Sequence, residues 1–196
     1  YYENGNPKWI RSYHNDFLTG EEYFFFNDST LQKKGIYKTI FVNENTVKSY
    51  YSEYNIADQL IAKVLLLKGE MDSVYTQYYP NGQEKVSFYF SKGIKNGPFE
   101  IYNKNGVLLQ KGTYQNNLLT GELKSFYGSG KLKIEGLFNK GMPDGFMNRY
   151  FSSGDIHEES IYKQDTLHGL HKRYYPNGQL AEEVTYHRGK KQGIMN

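Results

Sequence analysis

Five histidines are the side chains of this sequence best suited to acid–base or metal chemistry: His14, His157, His168, His171 and His187. His168 and His171 are three residues apart, and on a β-strand that spacing directs two side chains to opposite faces. We therefore expect no shared metal site at this pair. The sequence contains no cysteine, which excludes a thiolate nucleophile and any cysteine-based metal site.

Carboxylates recur at a fixed interval, because Glu135, Glu159 and Glu183 are spaced by 24 residues. Equivalent residues of adjacent hairpins would lie about 9 to 10 Å apart, within the separation that glycosidase carboxylate pairs use. No sequence feature indicates the cleft that such chemistry needs, so we expect a solvated ladder that pairs with Lys or Arg on neighbouring strands, such as Arg149 and Arg173. No Gly-x-Ser-x-Gly, Walker or His-Glu-x-x-His motif occurs. The sequence predicts no catalytic, cofactor-binding or metal-binding residue, and we expect the protein not to be an enzyme.

The composition favours an all-β protein. The 196 residues include 20 Tyr, 12 Phe and 20 Gly, a mixture typical of short strands joined by tight turns. The net charge is +3 with both signs interspersed, which argues against a nucleic-acid partner. No run approaches the roughly 18 apolar residues of a membrane-spanning helix. Because the chain opens at Tyr1 without Met, we expect a fragment or a processed form, and removal of a signal peptide is one alternative. A bacterial protein that is exported, bound to the envelope or cytoplasmic fits the sequence equally.

Two glycine series reveal an internal repeat of 24 residues. The first is Gly82, Gly106, Gly130, Gly154 and Gly178; the second is Gly97, Gly121, Gly145, Gly169 and Gly193. Gly5 and Gly20 extend both series backwards. The interval from Gly5 to Gly82 exceeds three full periods by five positions, and we place this excess between Tyr54 and Tyr78, with Tyr50-Tyr51 marking the third repeat. The sequence thus predicts about eight repeats.

Each repeat reads as strand, turn, strand, turn. In the first turn, Asn or Ser precedes the glycine, as in Asn81-Gly82 and Asn177-Gly178, and predicts a type I′ hairpin turn. The second turn has a candidate for left-handed backbone conformation, because only Gly, Asn or Asp occupies one position in six repeats. These candidates are Asp16, Gly93, Asn117, Gly141, Asp165 and Gly189.

Alternation along the strands predicts two unlike faces. Counted from the first-turn glycine as position 0, aromatic residues stand at −4 and +8, and leucine or isoleucine stands at +2, as in Tyr102, Tyr114 and Leu108. We expect these on one face, with a neighbouring ring packed over the small side chains at +6 (Gly112, Gly136, Ser160). The odd positions, such as Lys111 and Glu135, predict a wetter face. The predicted fold is an elongated, twisted, single antiparallel β-sheet of tandem hairpins, an open β-meander solenoid.

The pattern is weakest in the middle of the chain. We divide one array over residues 1–196 into N-terminal repeats (1–54), an irregular or inserted repeat (55–77) and regular repeats (78–196). Ile56, Leu60, Ile61, Val64 and Leu65 fit one face of a helix, whereas Val64 to Leu67 equally fit a buried strand. An inserted helix or loop here would form a docking ridge, and both alternatives stay open.

The recurring Tyr-Tyr-x-Asn-Gly tract, followed by Leu, Glu and Tyr at set distances as in Tyr174 to Tyr186, resembles the MORN-repeat family in its shorter, bacterial variant. The resemblance covers residues 88–193 well and residues 1–35 fairly. It implies a single sheet of hairpins without enzymatic activity in the repeats. It also implies a role in scaffolding or dimerisation, in membrane-lipid binding among eukaryotic members, or in antitoxin-like immunity. The Gly-x-Trp element of the longer eukaryotic repeat is absent, which weakens the lipid-binding implication.

The aromatic residue just after each −4 ring is the best functional candidate. Tyr79, Tyr127, Phe151 and Tyr175 lie at this position and predict a partner-binding surface, because Tyr provides a large contact area at low entropic cost. They equally fit rings that only shield the sheet. We expect a protein partner or self-association, with no cofactor. The alternative is an envelope-associated binder of anionic lipid or glycan, for which the cluster from His187 to Lys191 could serve unless it is only a solvated turn.

Overall fold

The computed structural model describes residues 1–26, 28–43 and 46–192, and these residues form twenty β-strands and no helix. The first ten are β1 (Trp9–Ile10), β2 (Tyr13–His14), β3 (Phe17–Leu18), β4 (Gly20–Phe25), β5 (Leu31–Asn43), β6 (Thr46–Asn55), β7 (Leu60–Leu67), β8 (Glu70–Met71), β9 (Val74–Tyr78) and β10 (Glu84–Ser91). The others are β11 (Ile94–Tyr102), β12 (Leu108–Gln115), β13 (Leu118–Phe126), β14 (Leu132–Asn139), β15 (Met142–Tyr150), β16 (Ile156–Lys163), β17 (Thr166–Leu167), β18 (Gly169–Tyr174), β19 (Leu180–His187) and β20 (Lys190–Gln192). Gly193, the last glycine of the second series, lies outside the described residues.

The chain divides into two compact units. Unit 1 comprises Tyr1–Lys95 with Lys104–Gly106, and unit 2 comprises Asn96–Asn103 with Val107–Asn196. In unit 1, β1 pairs with β4, and antiparallel pairing continues through β5, β6, β7, β9 and β10. In unit 2, strands β11 to β20 pair antiparallel in chain order. The predicted all-β meander of tandem hairpins is therefore confirmed in each unit.

The first turn of each repeat is not the predicted type I′ turn. Its two backbone hydrogen bonds run from Gly82 N to the Tyr79 carbonyl (2.9 Å) and from Tyr79 N to the Gln83 carbonyl (2.8 Å). Gly82 has φ +82°, and it alone has a positive φ in this turn. A type I′ turn needs two consecutive left-handed residues, so this is a three-residue loop that ends in a left-handed glycine. The turn prediction from Asn81-Gly82 was wrong for that reason.

The type I′ geometry occurs in the second turn instead. Lys92 and Gly93 have φ values of +50° and +73°, and Asn116 and Asn117 have +51° and +65°. All six residues predicted to be left-handed in this turn have positive φ, so that prediction is confirmed. The residue before each of them is left-handed as well, although it is Lys, Gln or Arg in most repeats.

The second glycine series lies within strands, four residues after the second turn. Lys111 pairs with Lys124 and Thr113 pairs with Thr120, so three residues of β12 face five of β13. The resulting bulge contains Gly121, which has φ +69°. A bulge with a positive φ is a position that favours glycine, and this accounts for the recurrence.

The excess of five positions lies in the hairpin of β5 and β6, not between Tyr54 and Tyr78. Ser29 and Asp58 occupy the position of the first-turn glycine, with φ +69° and +57°, and the interval between them is one period plus this excess. Gly82 follows Asp58 by one normal period. Strands β5 and β6 have 13 and 10 residues, whereas the equivalent β12 and β13 have 8 and 9. Tyr54, not Tyr50-Tyr51, therefore marks the third repeat.

The segment at residues 60–67 is a strand. Ala62 and Val64 are buried in β7, and the second-turn residues Lys68 and Gly69 follow at the standard place. The helical alternative for this segment was wrong, and the strand alternative is confirmed. A short apolar run fits both periodicities, so only the pairing of β7 with β6 and β9 distinguishes them.

A ladder of buried side chains at position −7 forms the core. In unit 2 its members are Phe99, Leu123, Met147 and His171, and each pairs with the side chain at position +6 of its repeat, as Phe99 does with Gly112. A Cβ added at Gly112 would lie 2.8 Å from Phe99 Cε1, so the ring covers the glycine as predicted. At Gly136 the covering group is the thioether of Met147, not a ring. The small side chains at position +6 therefore make room for the −7 ladder.

The prediction that positions −4, +2 and +8 share one face was wrong. Tyr150 at −4 pairs with Ile156 at +2, but a register shift between Arg149 and Tyr150 separates this pair from the rest of the strand. Tyr150 lies instead on the face of Glu135, to which its hydroxyl donates a hydrogen bond of 2.6 Å. Tyr150 follows the buried Met147 by three residues in β15, so strand alternation directs its ring to the opposite face. The +8 rings stay beside the −7 ladder, as Tyr114 does with 4.9 Å between its ring centre and that of Phe99.

Candidate partner-binding surface

The predicted surface residues occupy the first position of the first turn in each repeat. In unit 2 the amides of Gly130, Gly154 and Gly178 donate to the carbonyls of Tyr127, Phe151 and Tyr175 at 2.8 to 2.9 Å. Because the turn geometry repeats, the three aromatic side chains start from equivalent backbone sites. Two strand spacings, about 9 to 10 Å, separate one site from the next. The three residues therefore form a row along one edge of unit 2, here called the aromatic row.

Tyr127 is a structural member of the row. Its hydroxyl donates to the carbonyl of Tyr150 in the next repeat at 2.6 Å, and the Lys133 ammonium lies 5.7 Å from the centre of its ring. Tyr2 of unit 1 makes the equivalent contacts, a hydroxyl bond to the Phe25 carbonyl at 2.8 Å and a cation–π contact with Lys8 at 5.2 Å. The ring is half-buried because it connects one hairpin to the following one.

Phe151 and Tyr175 differ in accessibility. The ring of Phe151 is half-buried and packs on His157, with 4.4 Å between the ring centres. Tyr175 is 55% exposed. Tyr79 belongs to unit 1, where it is half-buried and Lys85 lies 5.8 Å from its ring centre. Tyr175 therefore offers the largest free aromatic surface among the four predicted residues.

The residue at position +3 is a recurring partner of the aromatic ring at −3, and it was not predicted from the sequence. In four repeats, the residue three positions after the first-turn glycine contacts the aromatic residue at −3. These residues are Lys8, Lys85, Lys133 and His157. A cation over an aromatic ring contributes roughly 0.5–1 kcal/mol at exposed sites. The alignment of the repeats contained this signal, because three of the four residues are lysines.

The glutamate ladder pairs with lysines of neighbouring strands, as expected, but not with the two arginines that the sequence suggested. Lys124 lies 3.7 Å from Glu135, and Lys172 lies 3.3 Å from Glu183. Arg149 and Arg173 contact Glu158 and Glu182 instead, at 3.7 and 3.5 Å. Strand register explains the difference, because Arg149 pairs directly with Glu158 while Glu159 faces Asn148.

Glu135 is the best-connected carboxylate of this ladder. Hydrogen bonds from Tyr150 and Asn148, together with the charge of Lys124, lower the pKa of Glu135. Burial and the bond to Glu135 raise the pKa of Tyr150 to about 12. Both groups therefore keep one ionisation state near neutrality, a carboxylate that accepts and a phenol that donates.

Replacing Tyr150 with phenylalanine should raise the pKa of Glu135, because the largest stabilisation of the carboxylate is lost. Carboxyl chemical shifts followed by NMR against pH would measure the change. A lowered pKa contributes stability above the ordinary carboxyl range and loses it as pH falls through the folded-state value. Y150F should therefore lose less stability on acidification than the native protein. Y114F, on the other face, is the control, and an unchanged Glu135 titration in Y150F would contradict the assignment.

The histidines are distributed over separate environments. His171 is buried in the −7 ladder, where its Nδ1 lies 2.9 Å from the Ser160 hydroxyl. His168 packs on His187 with 5.0 Å between ring centres. Among residues 1–26, 28–43 and 46–192, no three His, Cys, Asp or Glu side chains lie close enough to hold a metal ion. The same part of the chain has no helix long and apolar enough to cross a membrane.

A protein-family model described as a MORN repeat variant matches three segments, residues 95–116, 119–140 and 167–188. Each matched segment is centred on a first turn, at Gly106, Gly130 and Gly178, and extends to the start of the second. The repeat around Gly154 lies outside the matches but has the same pairing of strands β15 and β16. No curated protein matches the chain.

Proposed function

We propose, from the premise that the chain carries repeats of the MORN variant, that it is a non-catalytic interaction module that binds a protein partner through the aromatic row. Repeats of this kind generally serve as binding modules. The partner, the scaffolding role and an antitoxin-like activity are finer parts of the proposal. The identity of the captured partner would decide among them.

The exposed ring of Tyr175 is the observation that carries this proposal. Tyr127 and Phe151 are held by contacts inside the array, whereas Tyr175 leaves 55% of its surface to solvent at an equivalent turn position. Tyrosine is enriched among the residues that dominate binding energy at protein interfaces. A tyrosine side chain has only two rotatable angles, so it loses little conformational freedom when a partner covers it.

The burial of Ser160 and His171, a hydroxyl beside an imidazole in unit 2, supports a non-catalytic role. The Ser160 hydroxyl lies 2.9 Å from His171 Nδ1, whereas the serine of a serine hydrolase bonds to the Nε2 atom of its histidine. Ser160 is 1% exposed, and His171 is 9% exposed within the −7 ladder. The Ser160 hydroxyl also donates to Glu158 at 3.1 Å. A substrate carbonyl cannot reach this oxygen without opening the sheet, so the pair fits a role in packing.

A capture experiment with lysate of the native organism would test the proposal. The native protein should retain a stoichiometric protein partner, and Tyr175→Ala should reduce its retention about tenfold or more, as the loss of an interface hot spot does. Tyr89→Ala is the matched control, because Tyr89 is 40% exposed but lies outside the aromatic row. Tyr127→Ala is unsuitable as a primary variant, since it also removes the hydrogen bond to Tyr150.

Two results would count against this surface. Equal retention by Y175A and Y89A would remove the aromatic row from the interface. Absence of any captured protein would favour the alternative of an anionic lipid or glycan ligand. Circular dichroism of both variants should match the native β signal, because surface substitutions of this kind usually change stability by less than about 0.5 kcal/mol.

A further inference from the structure

Consecutive second turns of unit 2 enclose a groove that recurs with the repeat. Backbone hydrogen bonds from Gly141 to Leu119, Asp165 to Pro143 and Gly189 to Leu167, at 2.8 to 2.9 Å, hold each turn against the preceding hairpin. Each groove is lined from positions +9, +10, +12 and +14 of one repeat and from the turn of the next. The first groove is lined by Gln115, Asn116, Leu118, Thr120 and Lys140. The second is lined by Asn139, Lys140, Met142, Asp144 and Gln164. The third is lined by Lys163, Gln164, Thr166, His168, His187 and Arg188.

The three grooves share a backbone frame but differ in chemistry. Position +12 is Leu118, Met142 or Thr166, and position +14 is Thr120, Asp144 or His168. The fold therefore tolerates apolar, acidic and neutral residues at these places and does not require a positive charge there. The concentration of basic groups in the third groove is a property of its side chains alone.

The third groove collects four nitrogen-bearing side chains that can carry positive charge. Lys163 and Arg188 are exposed, and neither forms an ion pair within the described residues. His168 and His187 pack on each other with 5.0 Å between ring centres. The lining contains no carboxylate in the described part of the chain, whereas Asp144 in the second groove accepts bonds from Asn139 and from the Gln164 amide.

We propose that the third groove binds a tetrahedral oxyanion of the phosphate or sulfate class. A guanidinium presents paired donors that match such an oxyanion, and an ammonium adds a second charge-assisted hydrogen bond. The imidazole N–H groups of His168 and His187 are further donors in the lining, and Thr166, whose hydroxyl donates to the Gln164 carbonyl at 3.4 Å, is its neutral member. Like charges gathered without a counter-charge repel each other, and an anion between them removes that repulsion.

This site is separate from the aromatic row, because the first and second turns lie at opposite ends of the strands in unit 2. Two carboxylates lie beside the groove and neither lines it: Asp165, in the turn between Gln164 and Thr166, and Asp144, which accepts a hydrogen bond from the Gln164 backbone N–H at 3.4 Å. Lys190, which pairs with His187 across the last turn, is a further exposed positive charge next to a lining residue. The surrounding charge therefore favours an anion.

Titration of the full chain with sulfate, followed by backbone amide NMR at constant ionic strength, would test the proposal. Saturable shifts should appear at the amides of Thr166, His168 and Arg188. The double variant Lys163→Gln with Arg188→Gln should weaken binding about tenfold or more, because two charge-assisted contacts are lost. Lys140→Gln is the matched control, since Lys140 has the same repeat position as Arg188 but lies outside the third groove. Glutamine at that position is compatible with the fold, as Gln164 shows with φ +49°.

Linear, unsaturable shifts would overturn the proposal, as would equal binding by the double variant and the native protein. Inorganic phosphate and vesicles of phosphatidylcholine, with and without phosphatidic acid, then distinguish the source of the oxyanion. Vesicle binding that needs phosphatidic acid and is lost in the double variant would support a lipid headgroup. Binding of free phosphate without vesicle binding would support a soluble phosphate. Saturation by neither sulfate nor phosphate would overturn the site.

Discussion

Replacing Arg11 with methionine should lower the free energy of unfolding by about 3 kcal/mol. Arg11 Nε lies 2.9 Å from Glu22 Oε2, and Glu22 is only 2% exposed within the −7 ladder of unit 1. Removing one partner of a buried ion pair leaves the other charge uncompensated in a medium that solvates it poorly. The Tyr37 hydroxyl, 3.3 Å from Glu22, is then a remaining donor but carries no charge. Because Arg11 itself is 31% exposed, we place the effect at the lower end of the usual range.

Methionine keeps most of the side-chain volume, so the change chiefly reports the lost charge. Arg11 also contacts the rings of Trp9 and Phe24, at 5.2 and 5.7 Å, and a methionine can still pack against both. Denaturant unfolding would measure the loss. Arg173→Met is the matched control, because the Arg173–Glu182 pair is exposed (53% and 33%) and such pairs contribute only about 0–1 kcal/mol.

A second substitution separates charge from packing at the same site. Glu22→Gln in the R11M background removes the stranded carboxylate and should recover a large part of the lost stability. A loss below about 1 kcal/mol in R11M would show that Glu22 finds sufficient compensation elsewhere. Failure of Glu22→Gln to recover stability would instead assign the cost to packing around Trp9 and Phe24.

The repeat and its strands were predictable because both depend on spacing that the sequence displays. Glycines recurring at a fixed interval and the Gly, Asn or Asp at the second turn locate the chain reversals directly. The turn types were not predictable in the same way. A left-handed backbone conformation occurs at Lys92, Lys140 and Arg188, although lysine and arginine do not favour it. The type I′ turn was therefore assigned to the first turn instead of the second.

Face assignment failed for a related reason. Even offsets share a face only within one strand, and here they were counted across the first turn, where the paired residues Met147 (−7) and Ser160 (+6) differ in parity. The excess of five positions was also misplaced, because Ser29 and Asp58 replace the glycines that would have marked β5 and β6. Polar residues such as Ser and Asp can also adopt a left-handed conformation, so a turn that lacks glycine is missed when turns are located by their glycines.

The candidate surfaces differ in how well the sequence alone predicts them. The aromatic row was visible because one residue class recurs at one position. The −7 ladder was not, since Glu22, Phe99, Met147 and His171 share only their place in the sheet. The third groove combines residues of two repeats, which become neighbours only when the second turn of one repeat is hydrogen-bonded to the preceding hairpin.

Gly136→Val should cost about 3 kcal/mol of stability, the upper part of the range for overpacking a core. A Cβ at Gly136 would lie 2.7 Å from Met147 Sδ, 2.9 Å from Met147 Cε and 3.0 Å from the Phe146 carbonyl. The thioether can rotate away, but the carbonyl belongs to β15 and cannot move without disturbing the pairing with β14. The backbone of Gly136 has no positive φ, so the cost arises from its neighbours and not from conformational strain.

Position +6 shows that size here is matched to the facing side chain. Valine occupies the same position at Val64 and Val184, where the paired members of the −7 ladder are Tyr51 and His171. The cost of Gly136→Val should therefore fall when Met147 is also replaced by alanine, giving a double-mutant coupling that thermal unfolding can measure. Gly128→Val is the control, because no atom lies within 4 Å of a Cβ built there. Equal losses at Gly128 and Gly136, or strict additivity with Met147→Ala, would show that the packing of the −7 ladder over the +6 glycines does not determine stability.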